Sequence, residues 1–167
     1  MKAIETALSL TQAYKLGIDR FEKMLGNEFV KAVESMNTTS THIIVCGMGK
    51  SGLVGRKISS TLASTGTPSI FLHPAEAIHG DLGKVQKKSV VLLISYSGET
   101  GEIIALIPAL KRLEVTIIGL TGVKNSTLAL KSNIILDTSV DREACPLNLA
   151  PTTSTMITMV LGDALAV

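Results

Sequence analysis

The sequence predicts a three-layer α/β/α sandwich built around a five-stranded parallel sheet. The first observation is that five short aliphatic runs alternate with five helical segments from residue 41 onward. The second is composition: hydrophobic residues make up 46% of the 167 residues but aromatic residues only 3%, so Ala, Val, Ile and Leu must fill the core. The third is that the aliphatic runs are continuous, which is typical of parallel strands covered on both faces.

The elements follow in chain order from the apolar spacing and the turn residues. The first forty residues have helical spacing, and Gly26-Asn27 divides them into two helices, with Asn27 as the predicted cap of the second. The predicted strands are HIIVC at 42–46, SIFL at 69–72, VVLLIS at 90–95, VTIIGL at 115–120 and NIIL at 133–136. The helical segments between them are 55–65, 74–85, 100–113 and 125–130, and a last helix begins at Thr152, Thr153 or Ser154. A chain of this length suits one domain with a sizeable core.

Charge and apolar patterning argue against several classes of protein. The net charge is +2 with acidic and basic residues interspersed, which favours neither nucleic acid nor a membrane surface as a partner. The first fifteen residues lack a signal-peptide pattern, and the two isolated cysteines, Cys46 and Cys145, are typical of reduced thiols, so we expect a cytoplasmic protein. The last helical pattern continues to Val167, which suggests that the natural polypeptide extends beyond it.

The stretch VCGMGKSG at 45–52 matches parts of two nucleotide-binding motifs. Its three glycines form the dinucleotide fingerprint G-x-G-x-x-G after a strand. That motif needs an acidic residue at the end of the second strand, where this sequence has His73. A P-loop needs a glycine at position 44, where this sequence has Ile44. A dinucleotide and a nucleoside triphosphate are therefore both disfavoured as ligands.

A second loop offers a better phosphate site. The third aliphatic run ends in SYSGET, residues 95–100, which places Ser95, Ser97 and Thr100 before a helix. Backbone N–H groups at a helix start and side-chain hydroxyls together suit one phosphate monoester without a metal. A simpler interpretation is that Ser97 or Thr100 only caps the helix, but capping does not need three hydroxyls. Both loops follow parallel strands at the same edge of the sheet, where ligands bind in such folds.

Five motifs resemble, in this order, the sugar isomerase (SIS) domain of arabinose 5-phosphate isomerases: GMGKSG, HPAEAIHGDLG, SYSGETGEI, EACPLNLAPTTST and LGDALAV. The resemblance covers the chain from about residue 41 and implies a flavodoxin-like SIS fold, with one domain over 1–167 in which helices 1–38 pack on an α/β core at 41–167. It implies an enzyme that interconverts D-ribulose 5-phosphate and D-arabinose 5-phosphate through an enediol. In that family the product feeds synthesis of 3-deoxy-D-manno-octulosonate (Kdo) for lipopolysaccharide or capsule. Members usually form homotetramers, and most continue into CBS repeats, for which this chain has no residues.

The resemblance also implies roles for individual residues. Four are implied to be catalytic: Lys50, His79, Glu102 and Glu143. The implied substrate contacts are Gly49, Ser51, Gly66, Thr67, Ser95, Tyr96, Ser97 and Thr100. One of the two glutamates would be the proton-transfer base, and both are candidates. No cofactor is required, and His73 is implied to contact an optional, inhibitory zinc ion.

Each catalytic candidate also has a purely structural explanation. Lys50 could be an ordinary exposed lysine, although a positive charge is unfavourable at a helix N-terminus. Glu102 could complement the helix dipole, Glu143 could be a solvated loop carboxylate, and His79 could be a hydrogen-bond partner at a helix end. The family motifs favour function at each position. One departure is that another catalytic histidine of the family would lie beyond Val167, and a chain without it should turn over about 10²–10⁴-fold more slowly.

The sequence is compatible with two other functions. A non-catalytic phosphosugar sensor could use the same fold, but such regulators usually carry an N-terminal DNA-binding module, which the first forty residues do not resemble. Such a sensor also does not need two glutamates and a lysine in its loops. An isomerase for another sugar phosphate, such as a hexulose 6-phosphate, would differ in the depth of its pocket.

Overall fold

The architecture is a five-stranded parallel sheet with helices on both faces. A computed structural model describes residues 2–167. The strands are β1 Ile43–Gly47, β2 Ser69–Leu72, β3 Val90–Ile94, β4 Thr116–Thr121 and β5 Ile134–Asp137. The helices are α1 Lys2–Met24, α2 Asn27–Thr38, α3 Gly49–Ser64, α4 Pro74–Ile78, α5 Gly101–Arg112, α6 Thr127–Lys131 and α7 Thr153–Ala166, and a 3₁₀ turn spans Asp81–Lys84. The predicted three-layer sandwich is confirmed.

The order of the strands across the sheet is β2-β1-β3-β4-β5, and every neighbouring pair is parallel. From β1 the chain crosses through α3 to β2 on one side, whereas from β3 it crosses through α5 to β4 on the other. The direction of winding therefore reverses between β1 and β3. Open sheets of this kind form a crevice at such a point, outside the carboxyl ends of the strands.

Strands β1 and β3, which border the crevice, are buried along their whole length, and successive side chains point to opposite faces. On one face, Val45 and Leu92 belong to a core that they share with α3 and α7. On the other face, Ile44 and Leu93 pack with α5. These two apolar layers explain why the strand sequences are continuous aliphatic runs rather than alternating ones.

The N-terminal helices pack on the side of the sheet that carries α3 and α7. α1 contacts α7, and α2 contacts β5. α1 approaches α7 closely at Gly17, where a Cβ would lie 3.1 Å from side-chain atoms of both Thr153 and Ile157. The first half of α1, residues 2–12, is exposed along its length. α1 is also the longest helix at 23 residues, but neither it nor any other described helix is apolar enough to span a membrane.

Three local predictions are wrong in detail. The helix predicted at 55–65 is α3, which already begins at Gly49. Gly26 rather than Asn27 is the N-cap residue of α2, and Asn27 is the first residue of the helix. The segment 74–85 is not one helix, because it breaks at His79-Gly80. Gly80 has φ +134°, a backbone conformation that residues with a side chain rarely adopt. This glycine therefore ends α4 and starts a separate 3₁₀ turn.

Candidate active site

A cavity of about 240 Å³ opens at the crevice between β1 and β3. It is lined by the start of α3, the end of β3, the loop between β5 and α7, and the first turns of α7. Three residues predicted from the sequence meet here, namely Ser51, Tyr96 and Glu143. The small volume and the polar side chains suit part of a small metabolite more than a drug-sized ligand.

The glycine turn, residues 47–52, joins β1 to α3 with little space for side chains. A Cβ at Gly47 would lie 2.9 Å from the backbone of Ser51, and a Cβ at Gly52 would lie 2.6 Å from the carbonyl oxygen of Gly47. Gly49 has φ +56°, in the left-handed region. The glycines are therefore needed for the tight turn itself, and that turn brings Ser51 to the cavity.

Lys50 lies in the first turn of α3, next to Ser51, but it does not line the cavity. Its side chain is exposed, and it makes no ion pair with any residue in 2–167. A cation at a helix N-terminus gains nothing from the helix dipole. No carboxylate of the described chain therefore neutralises the ammonium group.

The serine loop, residues 95–100, is held by hydrogen bonds within itself. Ser95 is only 1% exposed, and its hydroxyl accepts a hydrogen bond from the N–H of Gly98 at 3.1 Å. It shares a second hydrogen bond of 2.7 Å with the hydroxyl of Thr100. Gly98 has φ +68°, and a Cβ there would overlap the side chain of Ser126. Ser95 thus shapes the loop from inside, and its contact with a substrate stays a prediction.

The other two hydroxyls of this loop do not cap the helix that follows. Thr100 is the N-cap residue of α5, yet its side chain makes no capping hydrogen bond and pairs with Ser95 instead. Ser97 is exposed, and its hydroxyl accepts the N–H of Glu99 at 3.2 Å, before the helix begins. The simpler interpretation, in which these residues serve only as caps, is therefore not what the structure shows.

Tyr96 links the serine loop to the β5–α7 loop, residues 138–152. Its hydroxyl accepts the N–H of Val140 at 3.3 Å, and its carbonyl accepts the hydroxyl of Thr121 at 3.1 Å. Its ring covers Gly122, where a Cβ would lie 2.5 Å from the ring. Tyr96 therefore holds the two loops that border the cavity at a defined separation.

Glu143 provides a carboxylate to the cavity and lies at the N-terminus of α7. Its Oε2 accepts hydrogen bonds from the N–H of Thr152 at 2.7 Å, the hydroxyl of Thr152 at 3.0 Å and the N–H of Ser154 at 3.2 Å. The hydroxyl of Ser154 donates to Oε1. Glu143 is thus not a freely solvated loop residue, because four donors hold its carboxylate in place.

These contacts also determine the charge of Glu143. Burial alone raises the pKa of its carboxyl, but the hydrogen bonds from Ser154 and Thr152 outweigh burial and leave the pKa below its ordinary value. The positive end of the α7 dipole favours the same charge. Glu143 is therefore ionised at neutral pH and able to accept a proton, although the same hydrogen bonds make it a weaker base than an unperturbed carboxylate.

Arg142 and Asn148 also line the cavity, although neither is among the site residues predicted from the sequence. Arg142 makes no ion pair with any other described residue of the chain. Asn148 has φ +54°, and its side-chain oxygen accepts the N–H of Glu143 at 2.7 Å. The available signal for Arg142 is its position in DREACP, directly before the candidate carboxylate.

Other predicted residues lie away from this cavity. Glu102 is half-buried in the first turn of α5 and does not line it. Gly66 and Thr67 precede β2, at the amino ends of the strands, whereas the cavity is at the carboxyl ends. His79 is exposed at the end of α4. Within one chain, the structure does not bring these four residues together with Glu143.

His73 does not have the surroundings of a zinc ligand. It is the half-buried N-cap residue of α4. Across residues 2–167, no group of three or more His, Cys, Asp or Glu side chains could hold a metal ion. Protein zinc sites need about three or four such ligands. The residues of a single chain therefore do not fit a zinc ion at His73.

Fold and site together define a doubly wound α/β domain with its ligand cavity at the point where the winding reverses. The family model of the SIS domain matches residues 38–167. The chain belongs to the SIS domain family.

Individual relatives agree with this assignment. The arabinose 5-phosphate isomerase KdsD of Pseudomonas aeruginosa is 55% identical over 150 residues, which is 90% of this chain and 46% of that protein. An Escherichia coli CFT073 protein in complex with arabinose 5-phosphate is 38% identical, with a TM-score of 0.89 over 99% of this chain and 88% of its own. A candidate sugar-phosphate isomerase from Listeria monocytogenes is 33% identical, with a TM-score of 0.94 over 98% and 86% of the two chains. The chain spans about half the length of the curated relatives it matches.

Proposed function

We propose that this chain is the isomerase domain of an enzyme that interconverts D-ribulose 5-phosphate and D-arabinose 5-phosphate. The observation that carries the proposal is the 55% identity to the P. aeruginosa arabinose 5-phosphate isomerase over 90% of the chain. The cavity supports it, because a carboxylate, a guanidinium and hydroxyl groups converge beside a loop suited to phosphate.

The reaction moves one proton between two carbons. A base removes a proton from C1 of the ketose, the C1–H electrons form the C1=C2 bond, and the C2=O π electrons move to O2, which takes up a proton to give the enediol. O1–H then loses its proton, the C1=O bond forms, and the electrons of the C1=C2 bond take up a proton at C2 to give the aldose. Glu143 is the carboxylate that already faces the cavity, and Glu102 is the second candidate for the base. A positive group stabilises the developing enediolate, and Arg142 and Lys50 are the candidates for that role. The substrate is neither oxidised nor reduced overall, so the chemistry needs no redox cofactor.

We place the phosphate between the serine loop and the glycine turn. Each precedes a helix, α5 of 12 residues or α3 of 16, so free N–H groups and two positive dipole ends face the crevice. Ser51, Ser97 and Thr100 would add hydroxyl donors, and Gly49 and Tyr96 would complete the contacts. Ser95 supports the loop from inside.

We further propose that a neighbouring subunit of a homotetramer supplies His79, Gly66 and Thr67 to the site. These residues lie outside the cavity of their own chain, so their proposed contacts with substrate need a second copy. The exposed half of α1 offers apolar surface for such an assembly, because Ile4 and Leu8 are 67% and 62% exposed. An inhibitory zinc ion at His73 would likewise need ligands from a second chain.

The proposal includes a domain organisation and a cellular role. The chain forms one SIS domain over 1–167, with helices 1–38 packed on an α/β core at 41–167. The enzyme acts in the cytoplasm, binds neither nucleic acid nor membrane, and supplies D-arabinose 5-phosphate for the Kdo of lipopolysaccharide or capsule. Burial raises the pKa of the Cys46 thiol to about 12, so this thiol stays protonated and unreactive.

The test is conversion of D-ribulose 5-phosphate in D₂O by this chain and by a version extended past Val167, followed by NMR. We expect D-arabinose 5-phosphate that carries one deuterium at C2. Glu143→Gln and Glu114→Gln form a matched pair, because Glu114 lies on the surface and pairs with Lys87. Only Glu143→Gln should abolish the exchange. Binding without conversion by the extended protein would defeat the proposal and favour a sensor, and faster conversion of a hexulose 6-phosphate would replace the substrate.

A further inference from the structure

We infer that Arg20, on the N-terminal helix α1, is a positioning residue for the β5–α7 loop and, through it, for Arg142 and Glu143. The inference rests on the proposed function, because these two residues are the charged groups of the cavity that are proposed to act on the sugar phosphate. It makes α1 part of the active-site architecture rather than only a cover for the core.

Arg20 reaches from α1 to the β5–α7 loop with three hydrogen bonds. Its Nη1 donates to Oδ1 of Asp141 at 2.7 Å, which is also an ion pair. Its Nε and Nη2 donate to the hydroxyl of Ser139 at 3.2 and 2.9 Å. A planar guanidinium that engages two loop residues at once fixes the orientation of the loop as well as its distance from the helix.

The packing of α1 against the same region supports this contact independently. A Cβ at Gly17 would lie 3.1 Å from side-chain atoms of Thr153 and Ile157, so α1 lies directly against the first turns of α7. Gly17 and Arg20 are three residues apart and therefore share one face of the helix. A small space of about 40 Å³ between helix and loop is bordered by Gly17, Val140 and Arg142. The helix is thus a rigid support at the point where Arg20 projects from it.

The β5–α7 loop needs such support because residues 138–152 contain no helix or strand. On one side of Arg142, the N-terminus of α7 holds Glu143. On the other side, Arg20 holds Asp141. Arg142 itself has no ion-pair partner within the described chain, so the two flanking anchors determine where it lies. Arg20 also pairs with Oδ1 of Asp141 and so partly offsets the charge of a second carboxylate that lines the cavity beside Arg142.

The ion pair is too exposed to contribute much to the stability of the whole domain. The side chains of Arg20 and Asp141 are 42% and 72% exposed, and pairs of this kind have little effect on unfolding. We therefore expect replacement of Arg20 to change the position of the loop while the unfolding midpoint of the domain changes little. If the pair were an ordinary surface ion pair, replacement of Arg20 would change neither the mobility of the loop nor the rate of the reaction.

The experiment compares Arg20→Met with Lys31→Met in the 167-residue chain, and the kinetic arm is repeated in the version extended past Val167. Lys31 forms an ion pair of comparable exposure with Glu28 on α2, so it is a matched control. We expect Arg20→Met to speed amide hydrogen exchange in residues 139–144 about tenfold and to lower kcat/KM for ribulose 5-phosphate roughly 10–100-fold. Its thermal midpoint should stay within about 2 °C of the wild type. Arg20→Lys should restore part of both losses, because it keeps the charge but not the planar fork.

A double-mutant cycle with Asp141→Asn gives a second measure, and we expect the effects of the two substitutions on the exchange rate to be non-additive. Unchanged exchange and unchanged kcat/KM in Arg20→Met would overturn the inference. An equal fall in kcat/KM in Arg20→Met and Lys31→Met would also overturn it, because a general loss of stability would then be the cause. Faster exchange in Arg20→Met with no turnover by the wild type or by its extended version would instead defeat the proposed function and leave the positioning role of Arg20 intact.

Discussion

The serine loop and the first half of the β5–α7 loop, which both border the cavity, are held in different ways. The serine loop has six residues, and three of them, Ser95, Gly98 and Thr100, brace it through internal hydrogen bonds. The β5–α7 loop is much longer, and residues outside it, Arg20 and Tyr96, hold its first half. The second half of the β5–α7 loop is braced internally, because Thr152 donates two hydrogen bonds to Glu143. It is therefore the first half of this loop that depends on the elements packed around it.

This difference indicates what a substitution in each loop should affect. The serine loop is part of the folded scaffold, so changes there should reduce stability as well as binding. The β5–α7 loop carries charged groups to the cavity, so changes there should act mainly on the reaction. Each prediction below tests a residue of one loop, and together they test whether the two loops respond differently to substitution.

Glu143→Gln should lower kcat for isomerisation by about 10²–10⁴-fold, because the carboxylate that faces the cavity is lost. Stability should also fall by about 1–2 kcal/mol, since the donors at the start of α7 lose a charged acceptor. Steady-state kinetics and urea unfolding measure the two effects. Glu102→Gln is the comparison that identifies the base, and wild-type kcat in Glu143→Gln would exclude Glu143 from that role.

Gly98→Ala should destabilise the domain by about 2–4 kcal/mol, because φ is +68° and a Cβ would overlap the side chain of Ser126. Equilibrium unfolding in urea gives the free energy directly. Gly101→Ala is the matched control, since a Cβ at Gly101 meets no atom within 4 Å. Equal stabilities of the two variants would show that the serine loop is less rigid than its hydrogen bonds indicate.

Arg142→Gln should lower kcat/KM for the sugar phosphate by about tenfold or more while the free energy of unfolding changes by less than about 0.5 kcal/mol. The reason is that Arg142 lines the cavity but has no ion-pair partner in the described chain. Kinetics at low and high salt measure the electrostatic part of the effect. Arg112→Gln, at the exposed end of α5, should have no effect, and an equal loss in both variants would argue against a local role.

The difference in stability between wild type and Glu143→Gln should change modestly with pH, and in one direction only. The pKa of Glu143 is below its ordinary value in the folded protein, so the carboxylate contributes stability above the unfolded pKa of about 4.3. That contribution is lost as the pH falls through the folded pKa. The difference between the two proteins in urea unfolding should therefore be constant from pH 7 to about pH 5 and shrink below about pH 4. A difference that grows on acidification would contradict the assignment.

The fold follows closely from local patterns. The predicted strand at 69–72 matches β2, and the ends of the other four strands differ from their predictions by one residue at most. Aliphatic runs bounded by glycine, proline and polar residues are short-range signals, which is why they locate strands well. The break at Gly80 was missed because a helical spacing continues across a glycine whose φ only the folded chain reveals.

The candidate site is less predictable than the fold. Sequence motifs place Ser51, Tyr96 and Glu143 where the cavity is found, but they do not distinguish Ser95, which is buried, from Ser97, which is exposed. They also do not show that Arg142 reaches the cavity. Whether a polar side chain faces a ligand or its own loop depends on the packing of neighbouring elements. That packing produces no recognisable pattern in the local sequence.

By itself, the sequence determined the succession of strands and helices, the glycine turn and the serine loop. Each of these depends on residues within a few positions of one another, through backbone sterics, turn chemistry and apolar spacing. The tertiary structure decided that β1 and β3 form the crevice, that α7 holds the carboxylate of Glu143, and that Arg20 pairs with a residue 121 positions away. Those contacts exist only after α1 has packed on α7 and the sheet has assembled, because they join segments that no local preference brings together.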